Sequence, residues 1–302
     1  MFLPALDWQP EPRLEPLHLD WLARASVEVA VLRLDQIDSL VSGNKWFKLL
    51  HHLRDAQEAG ADGVMSLGGA YSNHLHALAA AGERFGFATV GLLRGHPQDT
   101  PTVLDLKAFG MTLHWLGYEG YRRRHDPDFW APWQAQYPRL WPIPEGGYGL
   151  PGAKGCMTWV TSVSAQLQGL GWDDYHGWWL PCGTGTSLAG LVLAEAGKRP
   201  VYGVLAVPED HGVKPQVERI VEAAELADPL YELLDGSRGG FARVDADLIT
   251  FIETTHVIEL EPLYTGKALM LLKARVEAGM FAPGTRLIFV HTGGLQGRRG
   301  LA

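Results

Sequence analysis

Gly63-Val64-Met65-Ser66-Leu67-Gly68-Gly69-Ala70-Tyr71-Ser72-Asn73-His74 carries a short apolar run into two glycines and out through polar residues. Residues 63–67 predict a buried strand, and the alanine-rich stretch 73–85 predicts the helix that follows it. Asn73 is of a residue type that caps a helix start. Such a turn aims backbone N–H groups and the Ser72 and Asn73 side chains at whatever binds above the strand's carboxyl end. An ordinary strand-to-helix turn with a good cap would use the same residues.

The alternation continues in both directions. Residues 89–93, 111–116, 178–181, 201–207 and 287–291 are strand-like. Residues 101–109, 187–196, 213–227 and 263–278 are helical, the first with its proline where a helix tolerates one. Strands alternating with helices predict an α/β fold whose parallel sheets are covered on both faces. An antiparallel sandwich would show period-two alternation and few long helices. The stretch 141–155 is rich in proline and glycine and is expected to be the crossing between two lobes. The expected division is a small domain over 57–144 and a large one combining 1–56 with 145–302. Residues 235–240 form a further loop.

At 302 residues the chain is at the size where one core gives way to two. Its net charge of −8, without a lysine/arginine stripe, argues against nucleic acid as a partner. The basic run Arg122-Arg123-Arg124 is followed by His125 and Asp126 and reads as a solvated helix face. Apolar stretches fall short of the roughly 18 residues a membrane span needs, so no membrane partner is expected. Residues 1–7 lack the basic and apolar regions of a signal peptide. Cys156 and Cys182 are too few for a disulfide framework or a zinc site, which fits a reducing cytoplasm. No metal set emerges either: His51, His52, His74 and His76 have no acidic or cysteine partner at ligand spacing and read as solvated or capping residues.

Four further segments could carry chemistry. In Ser42-Gly43-Asn44-Lys45-Trp46-Phe47-Lys48 a turn runs straight into an amphipathic helix. Lys45 falls in the first turn, where the helix's partial positive charge favours the neutral amine that a carbonyl-attacking lysine needs. Lys48 lies one turn on, and position alone does not choose between them. Pro181-Cys182-Gly183-Thr184-Gly185-Thr186-Ser187 combines backbone amides, hydroxyls and a helix start, which suits a phosphate. A dinucleotide competes for this loop, although the glycine after Gly185 comes five residues on rather than three. His291-Thr292-Gly293-Gly294 closes the last buried strand, and Tyr264 in Glu261-Pro262-Leu263-Tyr264-Thr265-Gly266-Lys267 enters a helix.

Taken together and in this order, the motifs resemble the 1-aminocyclopropane-1-carboxylate (ACC) deaminase/D-cysteine desulfhydrase family. These are pyridoxal 5'-phosphate enzymes of the tryptophan-synthase β-like fold, fold type II. The likeness spans roughly 32–297. It implies two lobes, each with a mostly parallel sheet flanked by helices, with the cofactor in the cleft between them. It implies Lys45 as the Schiff-base lysine and Asn73 as the partner of the cofactor's 3-hydroxyl. Gly183, Thr184, Gly185 and Thr186 would hold the phosphate, and Thr292 would face the pyridine nitrogen. Ser72 and Tyr264 would face a small amino-acid substrate, Ser72 near its carboxylate. The implied reaction is β-elimination with release of a 2-oxo acid and ammonia, and the implied assembly is a homodimer.

Two departures bear on the substrate. ACC deaminases have Tyr-Glu where this chain has Tyr264-Thr265, which places it on the desulfhydrase side. Relatives also carry a tyrosine where this chain has Phe241. The expectation is therefore a D-cysteine desulfhydrase-like lyase. The alternatives are ACC deaminase activity, a pyridoxal-phosphate-binding protein with little catalysis, and a nicotinamide-dependent oxidoreductase resting on the Gly183 loop alone.

Overall fold

The computed structural model describes residues 8–240 and 243–300. The signal-peptide reading of residues 1–7 and the Phe241 departure lie outside them. In chain order the strands are β1 Arg13–Pro16, β2 Glu28–Arg33, β3 Gly63–Gly68, β4 Ala88–Leu93, β5 Thr112–Trp115, β6 Leu140–Pro142, β7 Gly177–Cys182, β8 Val201–Leu205, β9 Tyr231–Asp235 and β10 Arg286–His291. The described chain forms two compact units, each with its own sheet.

One unit comprises Pro10–Ile37 and Cys156–Leu295. Its six strands lie in the order β1-β2-β10-β7-β8-β9. All neighbours are parallel except β1, which runs antiparallel to β2 along the edge. Strands buried on both faces read as continuous apolar runs rather than alternations. β7, Gly-Trp-Trp-Leu-Pro-Cys, is buried at every position. Its Trp179 joins Trp21, Val31, Leu269 and Phe289 in the core. The indole N–H is satisfied by the Ala268 carbonyl at 2.9 Å, so this large side chain is buried without an orphan donor.

Among the described residues, the other unit comprises 8–9, Asp38–Gly155 and 296–300. Its sheet, β5-β4-β3-β6, is parallel throughout. Met65, Leu67, Val90 and Leu92 from the two central strands meet Tyr121 and Phe129 in its core. The helix Asn44–Glu58, which carries Lys45, packs on the helix Asn73–Phe85 and clusters with this sheet. The sequence reading had placed that helix in the larger domain.

The expected elements all appear, with ends shifted by a few residues. β1, β2, β6 and β9 stand beyond those expected. β1 and β9 are edge strands with exposed positions, and β6 has only three residues, so three of the four carry little periodic signal. The proline- and glycine-rich stretch 141–155 ends where the chain passes from one unit to the other. It contains the end of β6 and the start of a helix, Leu150–Ser164, with Pro151 in its first turn. The chain passes between units inside that helix, after Gly155. A β-carbon at Gly155 would overlap the Phe47 carbonyl oxygen, so glycine lets two helices touch backbone to backbone. Among the described residues no helix is long and apolar enough to cross a membrane.

The histidine expectation is corrected. His52, His74 and His76 are buried, and His51 is half-buried. Their partners lie on neighbouring elements: His74 meets Ser66 of β3, His76 meets Asp105 and the Phe109 ring, and His52 meets the backbone at Gly147. His74 Nε2 lies 2.8 Å from Ser66 Oγ, whose own hydroxyl donates to the Ile143 carbonyl at 2.8 Å. Ser66 therefore accepts from Nε2–H, and His74 is the neutral tautomer with Nδ1 unprotonated. Burial, followed by the charges of Lys48 and Lys45, holds His74 well below the usual histidine range. Burial also lowers His52 to about 4. Among the described residues no group of three or more histidines, cysteines or carboxylates could hold a metal ion.

Two tests follow from this packing. Gly155→Ala would gain up to about 1 kcal/mol of helix propensity. The overlap with Phe47 outweighs that gain, and a net loss of about 1–3 kcal/mol is expected from urea unfolding. The buried histidines set a pH dependence. Between the unfolded value of 6.5 and about 4, His52 binds a proton only in the unfolded chain. Stability is therefore lost as pH falls through that window, by about 1.4 kcal/mol per pH unit for each such histidine. Unfolding measured at pH 7, 6 and 5 should show His52→Gln with a slope shallower by about one proton. An unchanged slope would mean His52 protonates as readily folded as unfolded.

Candidate functional site

In the four-stranded unit, Gly43 precedes the lysine helix at φ 78°, a left-handed conformation that lets the chain turn directly into Asn44 and Lys45. Lys45 is half-buried and its Nζ donates to Asn44 Oδ1 at 3.1 Å. Lys48, one turn on, is only 3% exposed. Both charges reach His74 on the neighbouring helix, so the structure brings this lysine pair close to the helix that Asn73 begins.

At the carboxyl end of β3 the cap is Ser72, not Asn73. The Ser72 hydroxyl accepts from the Leu75 N–H at 3.2 Å, and Asn73 is the first helical residue. The hydroxyl proton of Ser72 is left available to donate. Asn73 Oδ1 accepts from Gln296 Nε2 at 2.8 Å. Ser72 and Asn73 are half-buried and Tyr71 is exposed, so this turn is accessible.

In the six-stranded unit, β7 ends in the loop Gly183–Gly185 ahead of the helix Thr186–Glu195. Gly185 sits at the cap position with φ 73° and brings no capping side chain. A helix start without a capping side chain is a setting that suits an anionic ligand. Thr184 and Thr186 hydroxyls lie 2.9 Å apart. A β-carbon at Gly183 would meet the Tyr264 ring at 3.3 Å, so the phenol lies alongside the loop. Thr292 follows β10 and is half-buried. The preceding His291 donates from Nε2 to the Glu259 carbonyl at 2.6 Å, and burial keeps it below the usual histidine range.

Tyr264 is held by a residue that sequence reasoning missed as a functional element. Glu261 is fully buried, and its carboxylate accepts from the backbone N–H groups of Leu263, Tyr264 and Thr265 at 2.8, 2.9 and 2.6 Å. Burial raises its protonation range, while these donors oppose the rise. Thr265 returns the arrangement: its Oγ1 accepts from the Glu261 N–H at 3.0 Å. Two residues later, Lys267 Nζ donates to the Ser237 and Gly240 carbonyls at 3.2 Å each. An acid just ahead of a helix start is a legible signal. Gln296 carries none, because its partner lies 223 residues away.

The uncapped helix start, the paired threonine hydroxyls and the glycine turn fit a phosphate ester. The half-exposed amine of Lys45 fits an aldehyde. Each unit by itself thus carries donors suited to one chemical group of pyridoxal phosphate. No family model matches the chain. A protein of Pyrococcus horikoshii provisionally named 1-aminocyclopropane-1-carboxylate deaminase is 27% identical over 296 residues, covering 92% of this chain and 89% of its own. The D-cysteine desulfhydrase of Klebsiella pneumoniae is 25% identical over 313 residues, with 94% of each covered. The crystal structure of an ACC deaminase homologue superposes with a TM-score of 0.81 at 24% identity, over 98% of this chain and 92% of that one. A hydrogen sulfide-producing enzyme of Fusobacterium nucleatum has the same fold, with a TM-score of 0.67 at 13% identity, over 94% and 93%. The nicotinamide reading of the Gly183 loop gives way to these likenesses. Along nearly its whole length the chain is similar in sequence to proteins named ACC deaminase and D-cysteine desulfhydrase, and it shares the α/β fold of an ACC deaminase homologue, two mostly parallel sheets flanked by helices.

Proposed function

We propose that this chain catalyses β-elimination from a small amino acid, D-cysteine foremost, with Lys45 as the covalent anchor of the cofactor. One D-cysteine and one water yield one pyruvate, one ammonia and one hydrogen sulfide. The observation that carries the reading is the setting of Lys45: second residue of a helix, half-exposed, its amine on Asn44. Lys48 is buried against His74 and less open to an incoming aldehyde.

Pyridoxal phosphate, when bound, supplies an aldehyde for the substrate amine and a ring that spreads the charge of the α-carbanion. The chain's own groups supply the rest. The first-turn amides at Thr186 and Ser187, with the Thr184 and Thr186 hydroxyls, take the phosphate. Asn73 holds the phenolic oxygen. Thr292 meets the pyridine nitrogen with a hydroxyl rather than a carboxylate. The helix start and the charge of Lys48 both favour a neutral Lys45 amine, and Nζ takes the α-proton. The Ser72 hydroxyl binds the substrate carboxylate. Tyr264 Oη gives its proton to the departing sulfur.

Thr265 favours the desulfhydrase reading over ring opening of ACC. It is fully buried, and its hydroxyl is taken up with Glu261, which leaves no acid at that position to face a substrate. The same reading carries a homodimer in the cytoplasm, and light scattering on the purified protein checks the assembly.

The test combines chemistry with product analysis. The protein loaded with pyridoxal phosphate is reduced with borohydride, digested and mapped by mass. A pyridoxyl adduct on Lys45 is expected; an adduct on Lys48 would overturn the assignment. Lys45→Ala should cut turnover by about a thousandfold, the scale of a lost proton acceptor. Pyruvate and sulfide from D-cysteine are expected. A 2-oxo acid from ACC instead would redirect the substrate assignment, and no product from either would leave a binding protein.

A further inference from the structure

The segment Leu295–Gly300, after β10, folds as a short 3-10 turn, and from Gln296 on it clusters with the four-stranded unit. It is fastened at two points, directly to the helix Asn73–Phe85 and to Asp105 of the helix Pro101–Ala108. At the first, Gln296 Nε2 donates to Asn73 Oδ1 at 2.8 Å. At the second, the Arg299 guanidinium pairs with Asp105, which also lies 3.1 Å from His76 Nε2. Arg299 Nε folds back onto the Gln296 carbonyl at 3.2 Å, closing the turn around Gln296. The Gln296 backbone is thus tied to Arg299 while its side chain holds Asn73.

A carboxamide has an acceptor end and a donor end, and a partner on one end decides what the other offers. With Oδ1 engaged by Gln296, the free end of Asn73 is Nδ2. Among the described residues no hydrogen-bond partner takes its N–H. A phenolic oxygen that has lost its proton needs a donor and is repelled by a carbonyl. We infer that Gln296 is a positioning residue, which sets the Asn73 carboxamide so that Nδ2–H faces the phenolic oxygen of the bound cofactor. This rests on the reading of Asn73 given above and goes beyond it by naming what fixes its orientation.

The test uses the full chain loaded with pyridoxal phosphate and reads cofactor affinity and the pH midpoint of its visible band, with no substrate present. Gln296→Leu deletes the donor and leaves Asn73 free to turn. It should weaken cofactor binding about fivefold, the scale of one neutral hydrogen bond. Gln296→Glu, nearly the same shape, offers only acceptors. It should draw Nδ2 toward itself and turn the Asn73 carbonyl to the phenolic oxygen. Affinity should then fall further than in the leucine variant, and the pH midpoint should rise because the deprotonated oxygen is disfavoured. A merely structural role predicts that glutamate, the closer mimic, does less harm than leucine. That order, or two variants that both match the parent, would overturn the inference provided Asn73→Ala still moves both readouts. Should Asn73→Ala move neither, the reading of Asn73 falls, and the inference with it. If the leucine variant fails to fold, the glutamate variant decides alone through the pH midpoint.

Discussion

Parallel strand pairing is the constraint on which the rest of each unit depends. In a parallel sheet every strand ends on the same side, and every following helix begins there. Loops after β3 in one unit and after β7 and β10 in the other therefore open at strand carboxyl ends, and those after β3 and β7 lead straight into helix starts. Such a sheet demands cover on both faces. That demand accounts for the fully buried β3 and β7 and for the tryptophan pair in β7. Polar groups inside must find partners, and Trp179 and Trp178 do so through a backbone carbonyl and a buried carboxylate.

The same demand shapes the polar groups around the candidate site. Taking a carboxylate out of water costs several kcal/mol unless donors surround it. Glu261 meets that condition with three backbone N–H groups and a threonine hydroxyl, and in doing so fixes the segment that presents Tyr264. His74 meets it differently, by staying neutral beside two lysines. Each of these buried groups is satisfied within its own unit, while Ser72, Asn73 and Lys45 keep partial access to solvent. Rigid support with accessible reacting groups is what positional control over a small substrate requires.

The α/β class and most of the strands and helices were legible in the sequence alone. Apolar runs of strand length and helical periodicity are local properties, and glycine, proline and hydroxyl residues mark the turns between them. The motifs around Lys45, Asn73, Gly183 and Tyr264 were legible for the same reason: each is contiguous. Short elements were not. β6 has three residues, and the helix through Pro151 and Gly155 hides behind residues that usually break helices.

What only the tertiary structure decided concerns partners distant in sequence. Histidines 52, 74 and 76 read as solvated or capping residues, yet the folded unit buries them and holds His52 and His74 below the usual histidine range. Asn73 read as a cap; the backbone gave that task to Ser72 and left the Asn73 side chain to Gln296. Thr265 read as a difference in substrate preference, and its hydroxyl is bound up with Glu261. Sequence determines residue types and their local periods. Which donor meets which acceptor across hundreds of residues depends on packing, because a hydrogen bond is decided by a few tenths of an ångström that no local pattern encodes.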